Sequence, residues 1–244
     1  MSTYILITGA SRGIGKGIAT ILAKEGYNLV LTCHNQTTLL EQLAEELRNA
    51  YPDIAIKTYT GDIGNPKVCE DIFHSLEHEN IHIDILINNA GMSHIGLLQD
   101  MTYEQWNQTV STNLSSVFYM CRLVIPHMIT NHRGKIINIS SVWGNAGASC
   151  EVAYSATKGG VNSFTKALAK ELAPSNIQVT AVAFGAIDTE MNHHLSKEDK
   201  AALCDEIPVG RMGTADEAGK MILSIIKSPD YLTGQVITMD GAWC

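Results

Sequence analysis

The sequence predicts an α/β fold, a doubly wound parallel sheet flanked by helices on both faces and formed as a single domain over residues 1–244. Two observations carry that expectation. Short runs rich in Ile and Val alternate with stretches of helical period along the whole chain, the pattern of repeated β-α-β units. The runs are apolar almost throughout rather than strictly alternating, as strands covered on both faces are. Hydrophobic residues make up 45% of the 244 residues, enough for a large core, and no Pro/Gly-rich linker or repeat divides it.

Strands are expected at 4–8, 28–32, 55–60, 83–87, 135–140, 178–184 and 235–239. Helices are expected between them at 14–25, 38–50, 66–79, 103–128, 154–173 and 215–226. The longest interval without a clear strand, within 188–234, carries a small helical pattern at 197–203. Its first part, 188–213, is a candidate substrate lid.

Charge and cysteine usage narrow the function. The formal net charge is -8, and no basic block exists to attract a phosphate backbone, so no nucleic-acid partner is expected. The start lacks the basic region and apolar run of a signal peptide, and no stretch approaches the roughly 20 apolar residues of a membrane span. The six cysteines are scattered, with no C-x-x-C pair. They read as reduced thiols, which suits a cytoplasmic protein. His74, His78 and His82 are four apart and would share a face if all were helical. His82 is expected past the helix end, so the three are read as solvated and no metal site is expected.

The first strand runs into Thr8-Gly9-Ala10-Ser11-Arg12-Gly13-Ile14-Gly15, where a helix begins. A glycine-rich turn between a strand and a helix at the start of a βαβ unit is how Rossmann-type folds hold a dinucleotide. The backbone approaches the pyrophosphate, and the helix N-terminus offers free N–H groups. There is no Gly-Lys-Ser/Thr ending, so a nucleotide triphosphatase loop is not indicated. An enzyme using NAD usually places an acid after the second strand; here the residues are Cys33-His34-Asn35. Arg12 and His34 could face a 2′-phosphate instead, so NADP(H) is expected over NAD(H), which stays possible.

Tyr154 and Lys158 are one helical turn apart and share a face. Ser141 lies at the C-terminal end of a strand, where open α/β sheets bind ligands. Carbonyl reduction needs a hydride and a proton for the forming alkoxide. A free phenol titrates near 10. An ammonium about 4 Å away contributes about 4 kcal/mol at an effective dielectric near 20, which would bring the phenol to about 7.

These elements together resemble the short-chain dehydrogenase/reductase family over essentially the whole chain. The shared residues are Thr8–Gly15, Asp62-Ile63, Asn88-Asn89-Ala90-Gly91, Asn113-Leu114, Ile139-Ser140-Ser141 and Tyr154-Ser-Ala-Thr-Lys158. The resemblance implies a catalytic tetrad of Asn113, Ser141, Tyr154 and Lys158, with Asn113 holding a water that relays protons through Lys158. It implies cofactor contacts at Gly9, Ser11, Arg12, Gly13, Ile14, Gly15, His34, Asp62, Ile63, Asn89, Ala90, Gly91, Tyr154, Lys158, Gly185, Ile187 and Thr189. It also implies a homotetramer, built on the helices at 103–128 and 154–173 and on the segment 235–244. Apolar residues at Val117, Phe118, Met120, Val124, Val161, Phe164 and Leu168 lie on more than one face of those helices. One departure is Phe184-Gly185 where the family has Pro-Gly, which leaves the backbone freer and lets Phe184 pack against the nicotinamide.

Within the family the chain is most similar to the bacterial 3-oxoacyl-acyl-carrier-protein reductases, through its glycine turn, Pro208-x-Gly210-Arg211-x-Gly213 and Leu232-Thr-Gly-Gln235. An arginine of that branch is missing near Ser175-Asn176, while His132-Arg133 remains basic. A second resemblance, to reductases of an amino-ketone modification on elongation factor P, rests on 93–98 and on Val142–Gly144 with 147–151. Ser93, Trp143 and Glu151 are the candidate substrate residues, with Glu151 able to receive an ammonium. The expected partner is thus a ketone, carried on an acyl carrier protein or on elongation factor P. A cofactor-binding regulator without catalysis is the remaining alternative, weakened because all four tetrad positions are filled.

Overall fold

The structure, a computed structural model, describes residues 3–192 and 195–244. Its strands are β1 (Tyr4–Ile7), β2 (Asn28–Cys33), β3 (Ile56–Thr60), β4 (Ile85–Asn88), β5 (Gly134–Ser141), β6 (Ile177–Phe184) and β7 (Val236–Met239). Its helices are α1 (Gly13–Lys24), α2 (Thr37–Ala50), α3 (Pro66–His78), α4 (Tyr103–Val110), α5 (Ser116–Thr130), α6 (Trp143–Ala146), α7 (Val152–Leu172), α8 (Lys197–Glu206) and α9 (Ala215–Ile226). The seven strands form one sheet in the order β3-β2-β1-β4-β5-β6-β7, and every pairing is parallel. This is the expected doubly wound, Rossmann-type sheet. The strand order reverses between β1 and β4, which opens a crevice beyond their C-terminal ends.

Side-chain alternation along each strand builds two cores. Ile5, Ile7, Leu29, Leu31, Ile87 and Ile137 pack with Ile18 and Leu22 of α1, Leu40 of α2 and Ile222 of α9. Leu6, Val30, Leu86 and Ile136 point the other way, onto Ile72 of α3, Met120 of α5 and Val161 of α7. All residues of β2 and β6 are buried, which explains their near-continuous apolar character. On the first face α1 and α9 cross closely because both carry glycine at the contact. A Cβ on Gly17 would lie 2.3 Å from the Ala215 carbonyl oxygen, and one on Gly219 would lie 2.7 Å from that of Gly17.

Two elements differ from the sequence-based expectation. The helix expected at 103–128 is α4 and α5 joined by a π-helical turn, Ser111–Ser115. One residue inserted into a continuing apolar face leaves the 3.6-residue pattern almost intact, so the turn is not visible in the period. The loop expected at 142–153 contains α6, whose four residues are too few to show a period. Val117, Met120, Val124, Val161 and Leu168, expected to help form subunit contacts, are buried in the second core. Phe118 is the residue of that set left half exposed.

The three histidines do not share one helix. α3 ends at His78, His74 sits 3.6 Å from Glu77, and His82 stacks on His127 with ring centroids 4.1 Å apart. Among the described residues no group of three side chains could hold a metal ion, all six cysteines are free, and no helix is long and apolar enough to cross a membrane.

Candidate active site

The crevice at the strand ends is a cleft of ≈ 900 Å³. Every residue expected to contact a cofactor lines it, and so do Ser141, Ser93, Trp143 and Glu151. Asn113 sits behind the wall, 1% exposed.

The glycines of the first turn divide their work. Gly9 has φ +67, and a Cβ there would lie 2.8 Å from the Ala90 Cα. A Cβ on Gly15 would lie 2.2 Å from the Gly9 carbonyl oxygen. Both therefore serve packing against the Asn89–Gly91 segment, which the Asn89 amide secures by donating to the Thr8 and Gly9 carbonyls at 2.9 Å each. Gly13, with φ +55 and ordinary van der Waals room for a Cβ beside Thr189, leaves its backbone open to the cleft. The Arg12 side chain at the N-cap of α1 makes no capping hydrogen bond, and the first turn of the helix lines the cleft.

Beyond β2 the cleft is lined by Cys33, His34, Asn35 and Gln36. Arg12 and His34 are exposed. Opposite them, Asp62 accepts the Gly64 N–H at 2.9 Å, which shapes the loop carrying Ile63.

The reacting end is held by β5 and α7. α6 folds the chain back after Ser141 and packs on α7 through Gly144, where a Cβ would lie 2.7 Å from the Lys158 carbonyl carbon. The Asn162 amide then ties α7 to Asn145 at 2.9 Å. Ser141 Oγ accepts the Trp143 N–H at 3.2 Å, leaving its own hydrogen to donate. Burial pushes the Tyr154 phenol up to about 12, the Ser141 hydroxyl beside it pulls it down, and the Glu151 carboxylate adds to the rise. Burial pulls the Lys158 ammonium down to about 8.

This corrects the expectation that Lys158 brings the phenol to about 7. Lys158 Nζ donates to the Ile139 carbonyl at 2.8 Å and lies 5.5 Å from the centre of the Tyr154 ring. It sits against the ring face, and burial, not the ammonium, is the leading influence on the phenol. A protonated phenol is the form that can donate a proton.

Asn113 lies in the π-helical turn, a place where such turns often mark function. Its amide donates to the Met92 carbonyl at 2.8 Å and to Thr157 Oγ1 at 3.1 Å, and its oxygen accepts the Met92 N–H at 2.8 Å. The side chain thus clamps the chain leaving β4, with both amide hydrogens committed.

At the outer end, Ser93 donates a short hydrogen bond to Glu151, and the Gly96 N–H donates to the Cys150 carbonyl at 2.8 Å. Trp243 packs edge-on against Trp143, centroids 4.9 Å apart. Sequence reasoning missed Trp243 and Met92, which also line the cleft. Neither belongs to a motif, and only the folded chain brings them to the opening. His94 and Ile95 of the 93–98 stretch and Leu203 of the 197–203 pattern line it as well. Asp188 lies 3.4 Å from Lys200 of α8 and does not line the cleft. In the candidate lid, Leu195 and Leu203 face the cleft, while positions 193 and 194 lie outside the described residues. His132-Arg133 precedes β5 and Ser175-Asn176 precedes β6. Both are at the N-terminal ends of the strands, so the basic pair does not rim this chain's own cleft.

The family described as short chain dehydrogenase matches residues 3–200. An uncharacterized oxidoreductase of Bacillus subtilis is 38% identical over 244 residues, covering 100% of this chain and 99% of that protein. The 3-oxoacyl-acyl-carrier-protein reductase of Vibrio cholerae is 35% identical, covering 97% of this chain and 95% of that one. Among solved structures, an actinorhodin polyketide ketoreductase with NADPH superposes with a TM-score of 0.92 at 31% identity, covering 99% of this chain and 97% of that chain.

The chain belongs to the short-chain dehydrogenase/reductase family and is an oxidoreductase.

Proposed function

We propose that this short-chain dehydrogenase is an NADPH-dependent ketone reductase acting on 3-oxoacyl thioesters. The observation that carries the reaction class is Ser141, Tyr154 and Lys158 gathered in one cleft with an uncapped helix N-terminus. That terminus and the open backbone at Gly13 fit a pyrophosphate. Arg12 and His34, with no acid at the end of β2, fit a 2′-phosphate. Asp62 and Ile63 would flank the adenine, and Ile187 and Thr189 the carboxamide. NAD(H) would enter the same cleft with fewer contacts. The bound cofactor would supply the hydride.

The chain's own groups then act on the carbonyl. Ser141 donates its free hydroxyl hydrogen to the carbonyl oxygen and holds it against the phenol. Tyr154, protonated at neutral pH, gives its proton to that oxygen as negative charge develops, the work of a general acid. Lys158, with a pKa near the working pH, returns a proton toward the phenol and would also hold the cofactor ribose. Since the Asn113 amide hydrogens are committed, a relay water would be held by its remaining acceptor sites. Phe184 is 3% exposed and packed in the first core. It supports the cleft floor more than it covers a nicotinamide ring.

The thioester substrate rests on similarity to reductases named for it. A second reading, an amino-ketone on elongation factor P, is favoured by one feature. Glu151 accepts from Ser93 inside a cleft that also holds Trp143 and Trp243. A carboxylate beside aromatic faces suits an ammonium. Comparing catalytic efficiency on an acetoacetyl thioester and on an amino-ketone, in wild type and in Glu151→Gln, separates them. The thioester reading expects faster thioester reduction and little effect of the substitution. Faster amino-ketone reduction, lost on Glu151→Gln, would replace it. We also infer a homotetramer in a reducing compartment such as the cytoplasm; Tyr103, Trp106, Phe118 and Ile129 are exposed along α4 and α5, as a subunit contact requires.

A further inference from the structure

The C-terminal residues form a built structure. The Asp240 carboxylate accepts the Ala242 N–H and the Cys244 N–H, each at 2.9 Å. Gly241 and Ala242 both take positive φ, +70 and +66, a conformation that alanine adopts only when its surroundings impose it. Three contacts impose it. Asp240 rests on Gly185, where a Cβ would lie 2.7 Å from the Asp240 Cβ. Gly241 lies against Ile207 and Val209 at the foot of α8, where a Cβ would meet Ile207 Cγ2 at 2.9 Å. Trp243 meets Trp143 in the edge-on geometry that aromatic pairs prefer. The tail therefore joins the exit of β6, the foot of the candidate lid and the segment after Ser141, and its indole enters the wall of the cleft.

We propose that Trp243, fixed by the Asp240 turn and seated on Trp143, is a specificity-determining wall that limits the bulk of the ketone beside Ser141. Trp143 is two residues past Ser141 and donates its N–H to the Ser141 oxygen, so the indole pair stands next to the hydroxyl that would hold the carbonyl. Removing the Trp243 indole opens room for a larger substituent while leaving Ser141, Tyr154 and Lys158 in place. This inference rests on the ketone-reductase reading.

The test compares NADPH-dependent reduction of ethyl acetoacetate and ethyl benzoylacetate by wild type, Trp243→Phe, Trp243→Ala and Asp240→Ala. The ratio of kcat/KM for the bulky ester over the small one is expected to rise about tenfold or more in Trp243→Ala, the scale on which pocket size discriminates. Trp243→Phe should fall between, and Asp240→Ala should move the ratio in the same direction. If the variants slow both esters equally, the tail is only structural and the proposal fails. If wild type reduces neither ester, the reductase reading fails instead. In that case calorimetric titration of the two esters decides the wall, which stands if Trp243→Ala binds the benzoyl ester more tightly and falls if it does not.

Discussion

Single residues decide the chemistry here through burial as much as through identity. Lys158 is 4% exposed, and burial lowers its pKa to about 8 from an ordinary value of 10.5. Between those values the unfolded chain binds the proton and the folded chain does not, so this group's contribution to stability rises with pH across that window. Replacing it by Met removes the dependence. The stability of wild type relative to Lys158→Met should therefore improve by about 2–3 kcal/mol between pH 7 and pH 10, read from denaturant midpoints at each pH. A constant difference would mean that the ammonium is not desolvated. Arg12 is the second informative residue. If its guanidinium meets a 2′-phosphate, Arg12→Ala should lower the preference for NADPH over NADH by about tenfold or more, in cofactor titrations. It is a cleaner probe than an acid placed at Cys33, which is 3% exposed and would bury the new charge.

At the level of elements, much is legible in the sequence. All seven strands and six long helices follow from period, because each long element must bury one face or two. What escapes is local. The π turn at Ser111–Ser115 preserves the apolar face around it, and α6 is shorter than two turns. The glycine turn is readable as a motif, but not which glycine does what. Gly9 and Gly15 pack against the chain after β4, and only tertiary contact shows this. Gly15→Ala should thus destabilise the fold by about 1–3 kcal/mol, the scale of overpacking, in thermal or denaturant unfolding. A variant as stable as wild type would show that Gly15 is kept for ligand approach alone. Within the site, Ser141, Tyr154 and Lys158 are legible from their spacing and from the family resemblance. Trp243 is not, since a tail residue carries no period and meets Trp143 only after the sheet forms.

At the scale of the whole molecule, the reversal of strand order between β1 and β4 places the glycine turn, the Asn89–Gly91 segment and the catalytic side chains along one crevice. The two helical layers leave Tyr103 at 87% and Phe118 at 49% exposed on α4 and α5. A tetrameric mass by light scattering at micromolar concentration is the expected outcome of covering them. A monomer would leave that apolar face to another partner. The central claim concerns the crevice itself, that a buried, protonated Tyr154 delivers the proton to a ketone reduced by NADPH. The direct measurement is the ketone-dependent loss of NADPH absorbance in wild type and in Tyr154→Phe, beside the NADPH dissociation constant of each. The account predicts steady turnover by wild type and a rate about 100- to 10,000-fold lower in the variant, with NADPH bound nearly as well. A variant that keeps more than about a tenth of the rate would contradict it, because such a loss is too small for a positioned general acid.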